Sequence, residues 1–128
     1  MQKFRIIILL MTFFAITSFA AEADSTAKNV TVNAFKKEMK ANKSIVILDV
    51  RMQDELTGPL GKIDGSINIP LQELEKRINE LAKYKNQDIY IISRSGIPSK
   101  LAAEILRNHG FKAINVLGGM MAYRQSSE

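Results

Sequence analysis

The longest apolar run in the chain comes first and differs from all later ones. Ile6 to Thr17 is almost unbroken hydrophobic sequence, preceded by Lys3 and Arg5 and followed by Ser18-Phe19-Ala20. A basic start, an apolar middle and small residues at the cleavage positions form the layout of a secretory signal peptide. The run is shorter than the about 20 residues that a transmembrane helix needs. The pattern therefore predicts a signal peptide over residues 1–20, export to a periplasm, and membrane contact only through that segment before cleavage. Retention of the segment as an anchor stays open. Residues 21–29 are small and polar and read as a flexible leader.

Beyond the leader the apolar period alternates between helix and strand. Thr31 is placed to cap a helix carrying Phe35 and Met39 on one face and Lys36, Lys37 and Lys40 outside it, with Asn42 as its stop. Ile45 to Val50 is a β-branched and apolar run suited to a strand covered on both faces. After a loop marked by Gly58-Pro59 and Gly61, Ile67-Asn68-Ile69 predicts a very short strand ended by Pro70. Leu74, Ile78 and Leu81 recur at helical spacing and predict one helix over 71–84. Asp88 to Ile92 predicts another buried strand. Pro98 suits the first position of a helix whose apolar face is Leu101, Ala102, Ile105 and Leu106. That helix closes at Asn108-His109-Gly110, with Gly110 in the left-handed terminal position. Ala113 to Leu117 predicts a third long strand, and Gly118-Gly119 turns the chain into a last short helix around residues 120–124.

Strands alternating with helices predict an α/β domain over residues 30–126, a three-layer fold with a mostly parallel central sheet and helices on both faces. Without the first 20 residues, about 108 remain, the size of one domain with one core. The full chain has 18 basic and 13 acidic residues. Setting Lys3 and Arg5 aside leaves a mild positive balance, and the lysines look scattered over solvated helix positions rather than gathered in a stripe. Nucleic acid is therefore not an expected partner. No metal-ligand cluster or cofactor fingerprint is expected, and the sequence identifies no protein partner. Cysteine is absent, which removes disulfides and every form of thiol chemistry.

In open parallel sheets, ligands bind beyond the carboxyl ends of the strands. Two loops leave from there. One starts at Asp49 and Arg51, which suit either ligand contact or an ion pair bracing loop backbone. The other runs Ser93-Arg94-Ser95-Gly96-Ile97-Pro98-Ser99 between a strand and a helix. Successive backbone N–H groups in such a turn converge, and the helix N-terminus adds about half a positive charge. Together they form a cradle for an anion. Arg94, Ser95 and Ser99 add side-chain donors.

This loop resembles that of the rhodaneses, which commonly reads Cys-Arg-Ser-Gly-x-Arg-Ser. Arg94, Ser95, Gly96 and Ser99 stand at matching places, with Ser93 at the cysteine and Pro98 at the second arginine. Leu48-Asp49-Val50-Arg51 resembles the family's Asp-Val-Arg signature, and Glu55 its later acidic residue. Residues 61–70 resemble its Gly-His-Ile-x-Gly-Ala-x-Asn-Ile-Pro segment, with Lys62 replacing histidine. Residues 116–123 resemble its closing Gly-Gly-aromatic element.

The resemblance implies a rhodanese-like fold and a sulfurtransferase ancestry, in which a cysteine thiolate takes sulfane sulfur from thiosulfate or a similar donor. Ser93 stands where that nucleophile belongs. A hydroxyl is weakly nucleophilic without an adjacent base, and its oxygen holds no persulfide. The one histidine, His109, lies at the far end of the helix from Ser93, about 15 Å away at the helical rise, so it supplies no base. The leading expectation is an exported, inactive homologue whose loop retains a site for a small oxyanion or sulfur-bearing ligand. Two other readings stay open: a working sulfurtransferase seen as a cysteine-to-serine variant, and an interaction domain with a vestigial loop.

Overall fold

A computed structural model of the chain describes residues 28–127. The expected signal peptide and most of the leader lie outside those residues. Five parallel strands are ordered β1-β5-β4-β2-β3 in one sheet. They are β1 (Asn29–Val30), β2 (Val46–Asp49), β3 (Ile67–Asn68), β4 (Asp88–Ile92) and β5 (Lys112–Val116). The helices are α1 (Val32–Ala41), α2 (Leu74–Arg77), α3 (Ile97–Asn108) and α4 (Gly119–Gln125).

The strands are apolar on both faces because both faces are covered. Alternate side chains divide between two cores, following the two-residue period of a strand. Val46, Leu48, Ile89, Ile91 and Ala113 pack with Leu74, Ile78, Leu81 and the inner face of α3. Ile47, Tyr90, Ile92, Ile114 and Val116 pack with Phe35 of α1 and Met120 of α4. The Phe35 ring leans on Tyr90 with centroids 5.5 Å apart. The three-layer expectation holds.

Several local expectations hold atom by atom. Thr31 Oγ1 accepts from the Ala34 N–H at 3.2 Å, and Asn42 ends α1. At the other end of α3, Gly110 N–H donates to Arg107 O and Phe111 N–H to Leu106 O, the paired bonds of a Schellman motif. His109 Nδ1 lies 2.8 Å from Ile105 O, a structural use of that ring.

Three details differ. The helix expected over 71–84 is broken into a 3-10 turn (Leu71–Glu73), the single turn α2, and a 3-10 segment (Ile78–Tyr84). The apolar spacing explains the break. Leu71 and Leu74, and then Ile78, Leu81 and Tyr84, are three apart, which lines up on a three-residue turn. Only the step from Leu74 to Ile78 has the four-residue spacing of an α-helix. Pro98 is the second residue of α3 rather than the first, because Ile97 opens the helix behind Gly96. Asn29, assigned to the leader, already belongs to β1 and pairs in parallel with Asn115. Two residues are too few for a strand pattern to show in sequence.

Candidate active-site loop

The carboxyl end of β4 delivers Ser93 into the turn that opens α3. Ser93 is only 1% exposed, and its Oγ lies at the focus of the loop. It accepts from the Gly96 N–H at 3.0 Å and the Ser99 N–H at 3.2 Å, and shares a 2.8 Å hydrogen bond with the Ser99 hydroxyl. The expected convergence of amides is therefore present, and the oxygen of Ser93 occupies its centre.

Two close approaches make this turn. Gly96 has φ +92°, and a Cβ there would lie 2.7 Å from the Gly118 backbone nitrogen. Gly119 has φ +55°, and its Cβ would lie 2.3 Å from the Ser93 carbonyl oxygen. Glycine at both positions lets the start of α4 lie directly against the loop. There Met120 N–H donates to Ser93 O at 2.8 Å and Met121 N–H to Arg94 O at 3.0 Å. From the other side, buried Asn115 donates its Nδ2 to Gly96 O at 3.2 Å. The loop is clamped by its neighbours in the sheet and in α4.

Asp49 and Arg51 form the second loop's anchor. Both are buried. Arg51 Nη2 donates to Asp49 Oδ2 at 2.7 Å, Arg51 Nε lies 3.0 and 3.1 Å from the two carboxylate oxygens, and the Arg51 N–H donates to Oδ1 at 3.0 Å. Nη2 also reaches Gly61 O at 2.8 Å. Asn68 Nδ2 completes the brace by donating to the carbonyls of Asp49 and Arg51. Of the two readings open for this pair, the geometry is that of the brace. Low dielectric strengthens such a pair, and its hydrogen bonds offset the loss of hydration.

A pocket of about 310 Å³ opens beside Ser93. Arg51, Ser93, Arg94, Ser95 and Pro98 line it, while Asp49, Gly96, Ile97 and Ser99 do not. Asp49 is fully covered by its partner, Gly96 and Ser99 sit beneath the loop, and Ile97 is 76% exposed on the outside of α3. The exposed Arg94 makes no side-chain hydrogen bond or ion pair with the described residues, leaving its guanidinium available at the rim. Glu55, whose Oε2 accepts from the Met52 N–H at 2.9 Å, stands on the opposite wall.

The remaining wall was not assigned from sequence: Val50, Met52, Leu71 and Gln72. Leu71 and Gln72 follow Pro70 at the carboxyl end of β3, the same end from which both loops leave, and that placement was the available signal. Asn115 was also missed. Its signal was a lone amide in the apolar run of β5, whose buried polar group requires a partner.

Residues 31–126 match the rhodanese-like domain family. YrkF of Bacillus subtilis, which carries a provisional sulfur-carrier name, is 39% identical over 110 residues, or 85% of this chain. The match spans only 57% of YrkF. YtwF of the same organism, provisionally named a sulfurtransferase, is 31% identical over 96 residues, covering 75% of this chain and 89% of that protein. The crystal structure of a rhodanese-like domain protein from Staphylococcus aureus matches with a TM-score of 0.68 at 31% identity, covering 75% of this chain and 90% of that one. A parallel five-stranded sheet, a clamped loop at its carboxyl end and these likenesses lead to one assignment: the chain belongs to the rhodanese-like domain family, related to sulfurtransferases, and it contains no cysteine.

Proposed function

We propose that this protein is an exported rhodanese-like domain that does not transfer sulfur and instead binds a small oxyanion or a sulfur-bearing acidic group beside Ser93. The observation carrying the first half is the position of Ser93 Oγ. The amides of Gly96 and Ser99 close on an oxygen that is nearly inaccessible, and among the described residues no imidazole or carboxylate hydrogen-bonds it. Without a base, that hydroxyl stays protonated and attacks nothing at neutral pH. Support for the ligand comes from the unpaired Arg94 guanidinium and the start of α3 beside the pocket, both favourable to negative charge. Support for export is the sequence of residues 1–20.

The test pairs the unmodified chain with Ser93→Cys. The unmodified chain is expected to give no thiosulfate:cyanide activity and to gain no labile sulfur by mass spectrometry. Ser93→Cys places a sulfur at the same focus, where the amides of Gly96 and Ser99 favour its thiolate, and is expected to form a persulfide with release of sulfite. Turnover by the unmodified chain refutes the proposal.

One observation favours a second reading, an interaction domain with a vestigial loop: Ser93 itself occupies the amides of Gly96 and Ser99. Titration with thiosulfate, sulfate and phosphate separates the two. Saturable amide shifts at residues 94–99 support the ligand site, and their absence supports the second reading.

A further inference from the structure

The pocket beside Ser93 is larger and more varied than a bare oxyanion needs. Its volume of about 310 Å³ falls at the lower end of the about 300–1,000 Å³ typical of sites for small organic molecules. Val50, Met52, Leu71 and Pro98 give it an apolar wall, joined where the Leu71 N–H donates to Val50 O at 3.0 Å. Charge reaches the pocket from two sides. Arg51 adds none, because the buried Asp49 carboxylate neutralises it. Arg94 and Glu55 each lack an ion pair among the described residues. They do not reach one another either, since their charged atoms lie more than 4.0 Å apart. Glu55 is held on its own side, its Oε2 accepting the Met52 N–H at 2.9 Å at the start of the 3-10 turn Gln53–Thr57. One oxygen of that carboxylate is thereby occupied and the other is not. An unpaired cation and an unpaired anion share one partly apolar pocket.

We propose that the ligand of this pocket is zwitterionic: a short aliphatic sulfonate or thiosulfonate that also carries a primary ammonium. The proposal rests on the reading that an acidic group lies beside Ser93, and it adds the other end of the molecule. The sulfonate pairs with Arg94, the ammonium with the Glu55 oxygen that Met52 leaves open, and the methylenes cover the apolar wall. Sulfate meets only part of this surface. Arg94 attracts it, Glu55 repels it, and the apolar wall stays wet. A ligand with an ammonium turns that repulsion into a charge-assisted hydrogen bond. The same carboxylate that disfavours a bare anion thus favours a two-ended one, which is discrimination by a difference in affinity.

The full chain is titrated at neutral pH with aminoethanesulfonate and aminopropanesulfonate, each beside its parent ethanesulfonate or propanesulfonate, and with sulfate. Amide shifts report the two ends separately. Residues 94–99 follow the anion, and the Met52 N–H, bonded to Glu55, follows the ammonium. At least one amine is expected to bind on the order of fivefold more tightly than its parent, with a Met52 shift that the parent does not give. Glu55→Gln keeps an acceptor for the Met52 N–H but loses the charge, and is expected to erase that preference without weakening the parent. Arg94→Gln is expected to weaken amine and parent alike. Equal binding of amines and parents by the unmodified chain overturns the proposal and leaves the oxyanion reading standing. A preference that survives Glu55→Gln also overturns it, because the ammonium then sits elsewhere. If neither sulfate nor any sulfonate moves residues 94–99, both readings fall. The comparison of amine with parent needs no substitution, so it stands even where a variant fails to fold.

Discussion

Gly119 and Gly65 both have positive φ, +55° and +80°, but only Gly119 has neighbours where a side chain would stand. A Cβ at 119 would lie 2.3 Å from Ser93 O and 2.7 Å from Arg94 O, whereas nothing lies within 4 Å at 65. Gly65→Ala therefore isolates the backbone penalty. Left-handed geometry costs a residue with a Cβ about 1–2 kcal/mol, partly offset by about 0.4–1 kcal/mol from the stiffer unfolded chain. The expected net loss is about 1 kcal/mol. Gly119→Ala carries the same penalty, and it also forces α4 off the loop. That breaks the bonds from Met120 and Met121 to the Ser93 and Arg94 carbonyls, each worth about 1 kcal/mol. The expected loss is about 3 kcal/mol, since a domain of this size has about 5–15 kcal/mol in all. Urea unfolding followed by circular dichroism measures both. In heat, the gap of about 2 kcal/mol corresponds to a melting temperature about 8–16 °C lower for Gly119→Ala than for Gly65→Ala. Equal losses refute the reasoning, because they leave contact between α4 and the loop with no energetic part.

Two predictions concern charge. Arg51→Met strands the buried Asp49 carboxylate and is expected to lose about 3–5 kcal/mol, while Asp49→Leu with Arg51→Met recovers much of it; a double-mutant cycle by urea unfolding that shows simple additivity contradicts the brace. On the surface, the Arg77 guanidinium hydrogen-bonded to Glu80 at 2.7 Å holds the Glu80 carboxyl below its ordinary value. Its folded-state pKa is thus the lower one, so its small stabilisation is present above the unfolded value and disappears as pH falls through the folded one. Carbon-detected NMR titration is expected to give Glu80 a depressed midpoint that Arg77→Gln returns to the normal range; a midpoint unmoved by the substitution removes the pair as the cause.

The apolar pattern carried the architecture. Covered parallel strands show as continuous β-branched runs because both their faces lose water, and caps such as Thr31 and Gly110 show because a helix end needs a specific local partner. The loop from Ser93 to Ser99 was legible for a related reason: a strand, a compact turn and a helix start lie within ten consecutive residues. The identity of residue 93 was sufficient to remove thiol chemistry. Other features depend on approaches between residues distant in sequence, and no local pattern encodes those. The choice of Asp49–Arg51 as brace followed from their mutual burial and the reach of Arg51 to Gly61. The clamp on the Ser93 loop exists only because β5 and α4, which come much later in the chain, lie against it. Chain order fixes which residues are glycine; tertiary packing decides that Gly96 and Gly119 have no room for a side chain while Gly65 does.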